Sequence, residues 1–171
     1  PAAPRPIVVP PLASAEAAVD PEEIEHGVVL IDIGSGTTDL AVFVHGSVVH
    51  TAVLPIGGAQ MTNDLVVALR IPQPAAEQVK REHGHAIPSL VDEDEMVEVD
   101  AFGADGHKTV PRRLLAEVLQ ARTEELLEMA RAEIRRGAQE ELLAAGVILT
   151  GGAAALPSIE HLAEEVLELP A

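Results

Sequence analysis

The chain has no cysteine, tryptophan or tyrosine, and two phenylalanines are its whole aromatic content. Without cysteine there is no disulfide scaffold and no thiolate metal site. The core must be aliphatic and alanine-rich, and nucleic-acid bases find no stacking platforms. Basic residues are also scarce, 11 Lys and Arg against 28 Asp and Glu, for a formal charge of −17. Such a balance repels phosphate backbones and argues against nucleic acid as a partner. No run approaches the roughly 20 apolar residues of a membrane span, and the opening "PAAPRPIVVPP" lacks the basic-then-apolar order of a signal peptide. The chain begins at Pro1 without Met and stops soon after a helical pattern. We read it as a fragment cut at both ends, of soluble cytoplasmic origin.

What is present is enough apolar material, 47% of 171 residues, for one core or two small lobes. Five prolines make residues 1–11 an extended connector, and "LASAEAAV" reads as a short helix. Asp20-Pro21-Glu22-Glu23 resembles a second helix start. Strand-like runs follow at 28–33, 40–45 and 47–54, with His45-Gly46-Ser47 turning the second into the third as an antiparallel meander. After Gly57-Gly58, "MTNDLVVALR" puts Met61, Leu65, Val66 and Leu69 on one helical face. "AAEQVKREHG" predicts a helix closed by Gly84 as a left-handed cap. An acidic stretch carries two short strands around Gly103–Gly106 and reads as a solvated edge. A long helix is predicted from Pro111 to Arg136, ended by Gly137, with Leu115, Val118, Leu119, Leu126, Ala130 and Ile134 inward. "GVILTGGAAAL" is a buried strand running into a glycine turn, and a last helix closes the chain. The pattern is α/β with an insertion, without internal repeats.

Chemistry concentrates in "VVLIDIGSGTTDLAVF". Gly34 and Gly36 let a hairpin turn bring backbone N–H groups up to an anion, and Thr37 and Thr38 add hydroxyls. Asp32 cannot face a phosphate alone, because the two anions repel. It becomes sensible with a hydrated Mg²⁺ between them, and Asp39 either holds a second water or fixes the turn. Two other phosphate motifs fail: Gly152 stands where a Walker loop needs Lys, and Leu40 starts a strand where a dinucleotide fingerprint needs a helix. In "LTGGAAAL", Gly151, Gly152 and Ala153 allow close approach to a flat group, or simply turn a strand into a helix. Glu77 and Lys80, three apart on one helical face, suit ribose hydroxyls and a base, or form an ordinary surface ion pair. His83 and His85 lack further ligands for zinc and read as surface residues. Neither Ser35 nor Ser158 shows a nucleophile's partners.

Asp32-Ile33-Gly34-Ser35-Gly36-Thr37-Thr38-Asp39 resembles the second phosphate motif of the actin, Hsp70 and sugar-kinase superfamily, and Thr150-Gly151-Gly152 resembles its adenosine motif. Between them, "HTAVLPIGGAQMTNDLVVALRIPQPAAEQVKREHG" is similar to the cell-division FtsA family, as is the leading "PLASAEAAV…EEIEHGVVLIDIG". The resemblance covers nearly the whole chain from about Ile7. It implies an α/β actin-like ATPase fold, of which this would be the second lobe only: a linker and connecting helix over 1–27, an inner nucleotide-binding subdomain of 28–57 plus 146–171, and an outer inserted α+β subdomain of 58–145. It further implies ATP and Mg²⁺ as ligands. Asp32 and Asp39 would hold the metal through water, and Gly34, Ser35, Gly36, Thr37 and Thr38 would meet the phosphates. Glu77 and Lys80 would flank ribose and base, with Gly151, Gly152 and Ala153 under the adenine.

Relatives of this kind polymerise at the inner face of the membrane at the division site and bind the C-terminal tail of the tubulin-like protein FtsZ. Arg131, Arg135 and Arg136, at the end of the long helix, are our expectation for pairing with acids of that tail. Many relatives have Gly where Ser35 stands, and Ser still offers its N–H. The first phosphate loop, the residue that orients attacking water, the extra subdomain of this family and its amphipathic membrane helix lie outside this chain. Alone it should bind ATP weakly and hydrolyse it negligibly. Pilus-assembly proteins resembling PilM and rod-shape proteins resembling MreB are the alternatives on the same fold. A metabolic kinase or an Hsp70-type chaperone would need a substrate cluster or a peptide-binding domain that the residues do not supply.

Overall fold

With two phenylalanines and no tryptophan or tyrosine, the chain's layers must pack mainly through Val, Ile, Leu and Ala, and they do. A computed structural model describes residues 18–103 and 106–171; the proline connector and most of the first predicted helix lie outside the described residues. Helix α1 (Pro21–His26) leads into β1 (Val28–Ile33), β2 (Thr38–Val44) and β3 (Ser47–Leu54). Then come α2 (Gly58–Leu69), α3 (Gln73–His83), β4 (Met96–Asp100), β5 (His107–Pro111), α4 (Arg112–Gly137), β6 (Gly146–Thr150) and α5 (Ile159–Leu167).

The larger sheet runs β3-β2-β1-β6. The meander pairs antiparallel, as its turn residues predict, while β6 joins β1 in parallel. Strand β1 is therefore interior, and every residue of it except Asp32 is buried. Its alternating side chains feed two cores: Val29, Ile31 and Ile33 point into the main cluster, and Val28 and Leu30 join Ala41 and Phe43 on the opposite face. The main cluster continues without a break into Leu65, Val79, Leu119 and Leu126 of the helices. Strands β4 and β5 form a separate two-stranded ribbon.

The helices start and stop by means other than those the sequence suggests. Helix α2 begins at Gly58, three residues before its apolar stripe, because two of its leading N–H groups find partners elsewhere in the fold. Gly58 donates to Gly34 O at 2.9 Å and Ala59 to Ser35 O at 2.7 Å, while Gln60 reaches back to the Gly57 N–H at 3.0 Å. Those contacts satisfy donors that a helix terminus otherwise leaves open. Gly84 is not a left-handed cap: its φ is −61° and ψ 152°. A Cβ there would lie 2.2 Å from Lys80 O and 2.9 Å from Leu156 Cδ1, so the position needs glycine for room. Gly137 likewise remains within α4, and its missing side chain makes space for the His50 ring. The inward face of α4 is Leu115, Ala116, Leu119, Leu126, Leu127, Ala130 and Ile134, with Val118 half-buried at the margin.

Candidate functional site

Parallel strands β1 and β6 end side by side, with Asp32 in register with Thr150, and Asp32 also faces Asp39 across the antiparallel ladder. Ligands of α/β sheets gather at such carboxyl ends, where the chain leaves each strand by a loop. After β1 the hairpin turn closes through Gly34 N–H to Thr37 O at 2.9 Å, lifting Ser35, Gly36 and Thr37 into solvent. After β6, Gly151 adopts φ +91°, a conformation that favours glycine. A Cβ at Gly151 would sit 2.5 Å from Asp32 Oδ1, so the two motifs touch through this residue.

The two turns open onto one cleft of about 760 Å³, lined by Gly34, Ser35, Gly58, Thr62, Glu77, Lys80, Arg81, Gly152, Ala153 and Leu156 among others. That volume suits a nucleotide-sized ligand. Six of the residues singled out from sequence thus converge: Gly34, Ser35, Glu77, Lys80, Gly152 and Ala153. Gly36 and Thr37 stand on the exposed tip of the hairpin, and Thr37 Oγ1 donates to Asp39 Oδ2 at 3.4 Å. Thr38 differs from its sequence reading. It is fully buried and its hydroxyl donates to Ile56 O at 2.8 Å, which ties the strand end to the following loop and leaves nothing to offer a phosphate.

Glu77 and Lys80 do not form a loose surface pair. Lys80 Nζ, on a side chain only 12% exposed, lies 2.7 Å from Glu77 Oε2, 2.8 Å from Thr62 Oγ1 and 2.9 Å from Gly58 O. Burial works against the ionised Glu77, but hydrogen bonds from Lys80 and Thr62, with the Lys80 and Arg81 charges, outweigh it and hold its carboxyl below the ordinary value. Thr62, Gly58 and Arg81 were not among the site residues read from sequence. Thr62 alone left a trace there, as a hydroxyl beside the apolar stripe of α2 that needs a partner if it is buried.

His85, read as a surface residue, is half-buried where the loop after α3 meets the one before α5. Its Nδ1 accepts the Ile87 N–H at 3.0 Å, so a neutral ring carries its proton on Nε2 and presents it to Ser158 Oγ at 3.3 Å. Burial and the nearby Arg112 hold its pKa below the usual histidine value. This tautomer cannot take a proton from Ser158, and the pair is not a nucleophile and base.

The cation reading rests on Asp32 and Asp39. Like charges directly opposite in a ladder destabilise it, and a hydrated divalent cation above them would relieve that cost. Among the described residues no three acidic or histidine side chains cluster as a direct metal cage. Also among the described residues, no helix is long and apolar enough to cross a membrane.

The family model described as "Cell division protein FtsA" matches residues 29–171. The FtsA of Pseudomonas aeruginosa is 42% identical over 164 residues, covering 96% of this chain and 39% of that protein. The Bacillus subtilis FtsA is 40% identical over 162 residues, covering 95% and 37%. The chain thus spans about two fifths of the length of the curated relatives it matches. Among solved structures, MreB5 of Spiroplasma citri bound to AMPPNP superposes with a TM-score of 0.77 at 22% identity, over 92% of this chain and 50% of that one.

Proposed function

This chain belongs to the FtsA cell-division family and has an actin-like α/β fold, and from that premise we propose that it is the second lobe of an ATP-binding assembly protein of the division machinery. The family match sets aside the pilus-assembly and rod-shape alternatives that share the fold. Residues 28–57 with 146–171 act as the inner, nucleotide-holding part, and 58–145 as the outer part. The reading is supported above all by the single cleft onto which the Gly34–Ser35 turn and the Gly152–Ala153 turn both open. Backbone N–H groups of Ser35 and Gly36 would meet the phosphates, Asp32 and Asp39 would hold Mg²⁺ through water, and the purine would rest beside Gly151, Gly152 and Ala153. When bound, Mg²⁺ would neutralise charge where these carboxylates and the phosphates approach one another. An aliphatic wall of Ala153, Ala155, Leu156 and the Lys80 stem replaces aromatic stacking.

Gly36 and Gly152 test this cleanly. Neither has positive φ, and a Cβ at either meets nothing within 4 Å. Gly36→Val combined with Gly152→Val should leave melting almost unchanged, as surface substitutions do. It should lower ATP affinity of the complete protein by about tenfold or more, the 1.4 kcal/mol that a modest steric intrusion removes. Unimpaired ATP binding by the double variant, measured by calorimetry, would reject the site.

In the cell the protein polymerises at the inner face of the membrane and links the FtsZ ring to it. For the FtsZ tail, the arginines at the end of α4 are already engaged in part. Arg131 bridges Glu168 at 2.5 Å and Arg136 pairs with Glu133, while Arg135 also has an interaction of its own. Arg135 and Arg136 stay exposed and remain our proposal for reading acids of the tail. A groove of about 570 Å³ between α2 and α4 competes with them, because it leaves Val67 76% exposed beside Leu114, Val118 and Arg122. Charge reversal at Arg135 and Arg136 should weaken a fluorescent tail peptide about tenfold if their ion pairs carry recognition. Unchanged affinity, with loss on Val67→Asp, would move the contact to the groove.

A further inference from the structure

Lys80 and Thr62 both bind the same carboxylate oxygen of Glu77, a residue that lines the cleft. An ammonium has three protons, and Lys80 has three acceptors in place: Gly58 O, Thr62 Oγ1 and Glu77 Oε2. All three of its protons are therefore engaged within the protein. Thr62 is 2% exposed and has one proton for two neighbours, Gly58 O at 3.0 Å and Glu77 Oε2 at 2.5 Å. Gly58 O already accepts from Lys80, and an ionised carboxylate is the stronger acceptor, so the proton points to Glu77. Oε2 therefore receives two donors, whereas Oε1 accepts none from the described residues. The Glu77 side chain is 46% exposed and lines the cleft. An ionised carboxylate only accepts hydrogen bonds, so what it lacks is a hydroxyl or amine donor from a ligand.

We propose that Thr62 is a positioning residue that turns Oε1 of Glu77 toward the ribose diol and makes the site prefer ribonucleotides over their deoxy analogues. This rests on the nucleotide reading above and deepens it. Loss of a hydroxyl leaves a partly buried charged acceptor short of a donor, the kind of mismatch that discriminates strongly because a polar group is left unpaired. Without the Thr62 hydroxyl, Lys80 alone holds Oε2 and the carboxylate is free to swing about that single contact.

The test compares ATP, 2′-deoxy-ATP and 3′-deoxy-ATP binding to the complete protein by calorimetry, for wild type, Thr62→Ser, Thr62→Val and Glu77→Gln. Wild type and Thr62→Ser should prefer ATP over at least one deoxy analogue by about tenfold or more. Thr62→Val should bring that ratio within about threefold, as should Glu77→Gln, which keeps the shape and removes the charge. A wild type that binds all three alike overturns the proposal, as does Thr62→Val with its preference intact. If Thr62→Val does not fold, a preference retained by Glu77→Gln overturns it equally. A wild type that binds no ATP at all fails the nucleotide reading itself, a result distinct from the others.

Discussion

Replacing Gly84 by alanine is expected to destabilise the protein by about 3 kcal/mol, the upper part of the range for a side chain forced into a packed site. The new methyl would lie 2.2 Å from Lys80 O, 2.9 Å from Leu156 Cδ1 and 3.0 Å from Leu119 Cδ1. None of the three moves easily. Lys80 O is helix backbone that accepts the Gly84 N–H at 3.0 Å, Leu119 is fully buried on α4, and Leu156 both lines the cleft and joins the core. Pushing the end of α3 away from these neighbours also displaces Lys80 and Glu77, so nucleotide affinity should fall with stability. Gly84→Asn separates crowding from conformation. Asparagine is accepted at left-handed helix caps, but at φ −61° it gains nothing and brings a larger side chain. Both variants should unfold at clearly lower denaturant than wild type; an asparagine variant as stable as wild type would refute the crowding account.

Gly84 also shows what the sequence could and could not disclose. A glycine after a helical pattern has two physical uses, positive φ and absent Cβ, and one sequence presents them identically. The same ambiguity hides Gly137, which yields to the His50 ring, and Gly57-Gly58, which precede the apolar stripe of α2. In the fold a Cβ on Gly57 would meet Gly34 O at 2.6 Å and Ser35 O at 2.7 Å. Elements whose signal is local were legible. The meander follows from its turn residues, the long helix from Leu115, Leu119, Leu126 and Ile134 at helical spacing, and the ends of β1 and β6 from glycines after apolar runs. Interactions across the chain were not. Thr62 meets partners 15 and 18 residues away, and His85 meets Ser158 73 residues away. Thr38 misled for a related reason: a hydroxyl beside a phosphate-type turn suits either a ligand or the protein's own backbone, and burial decided for Ile56 O.

Gly151→Ala should have the largest effect on the site, and it contrasts with its neighbour. Gly151 has φ +91°, which an L side chain adopts only at a cost of about 1–3 kcal/mol. Its Cβ would also lie 2.5 Å from both Asp32 Oδ1 and Ile33 O. Strain and collision therefore act together where the parallel ladder ends, at Asp32 opposite Thr150. Relief requires either moving the Asp32 carboxylate or opening β6 from β1, and both dismantle the place proposed for metal and phosphate. The expected loss is about 3 kcal/mol of stability, with ATP affinity down by more than about 100-fold, the 2.8 kcal/mol that two tenfold steps represent. Adding Asp32→Ala removes one collision but leaves Ile33 O and the φ penalty, so it should recover part of the stability and none of the binding. Gly152→Val, one residue along, should spare stability and weaken binding only by intrusion. If the Gly151 and Gly152 variants melt alike and bind ATP alike, the contact between Asp32 and the second glycine turn is not what holds the site together.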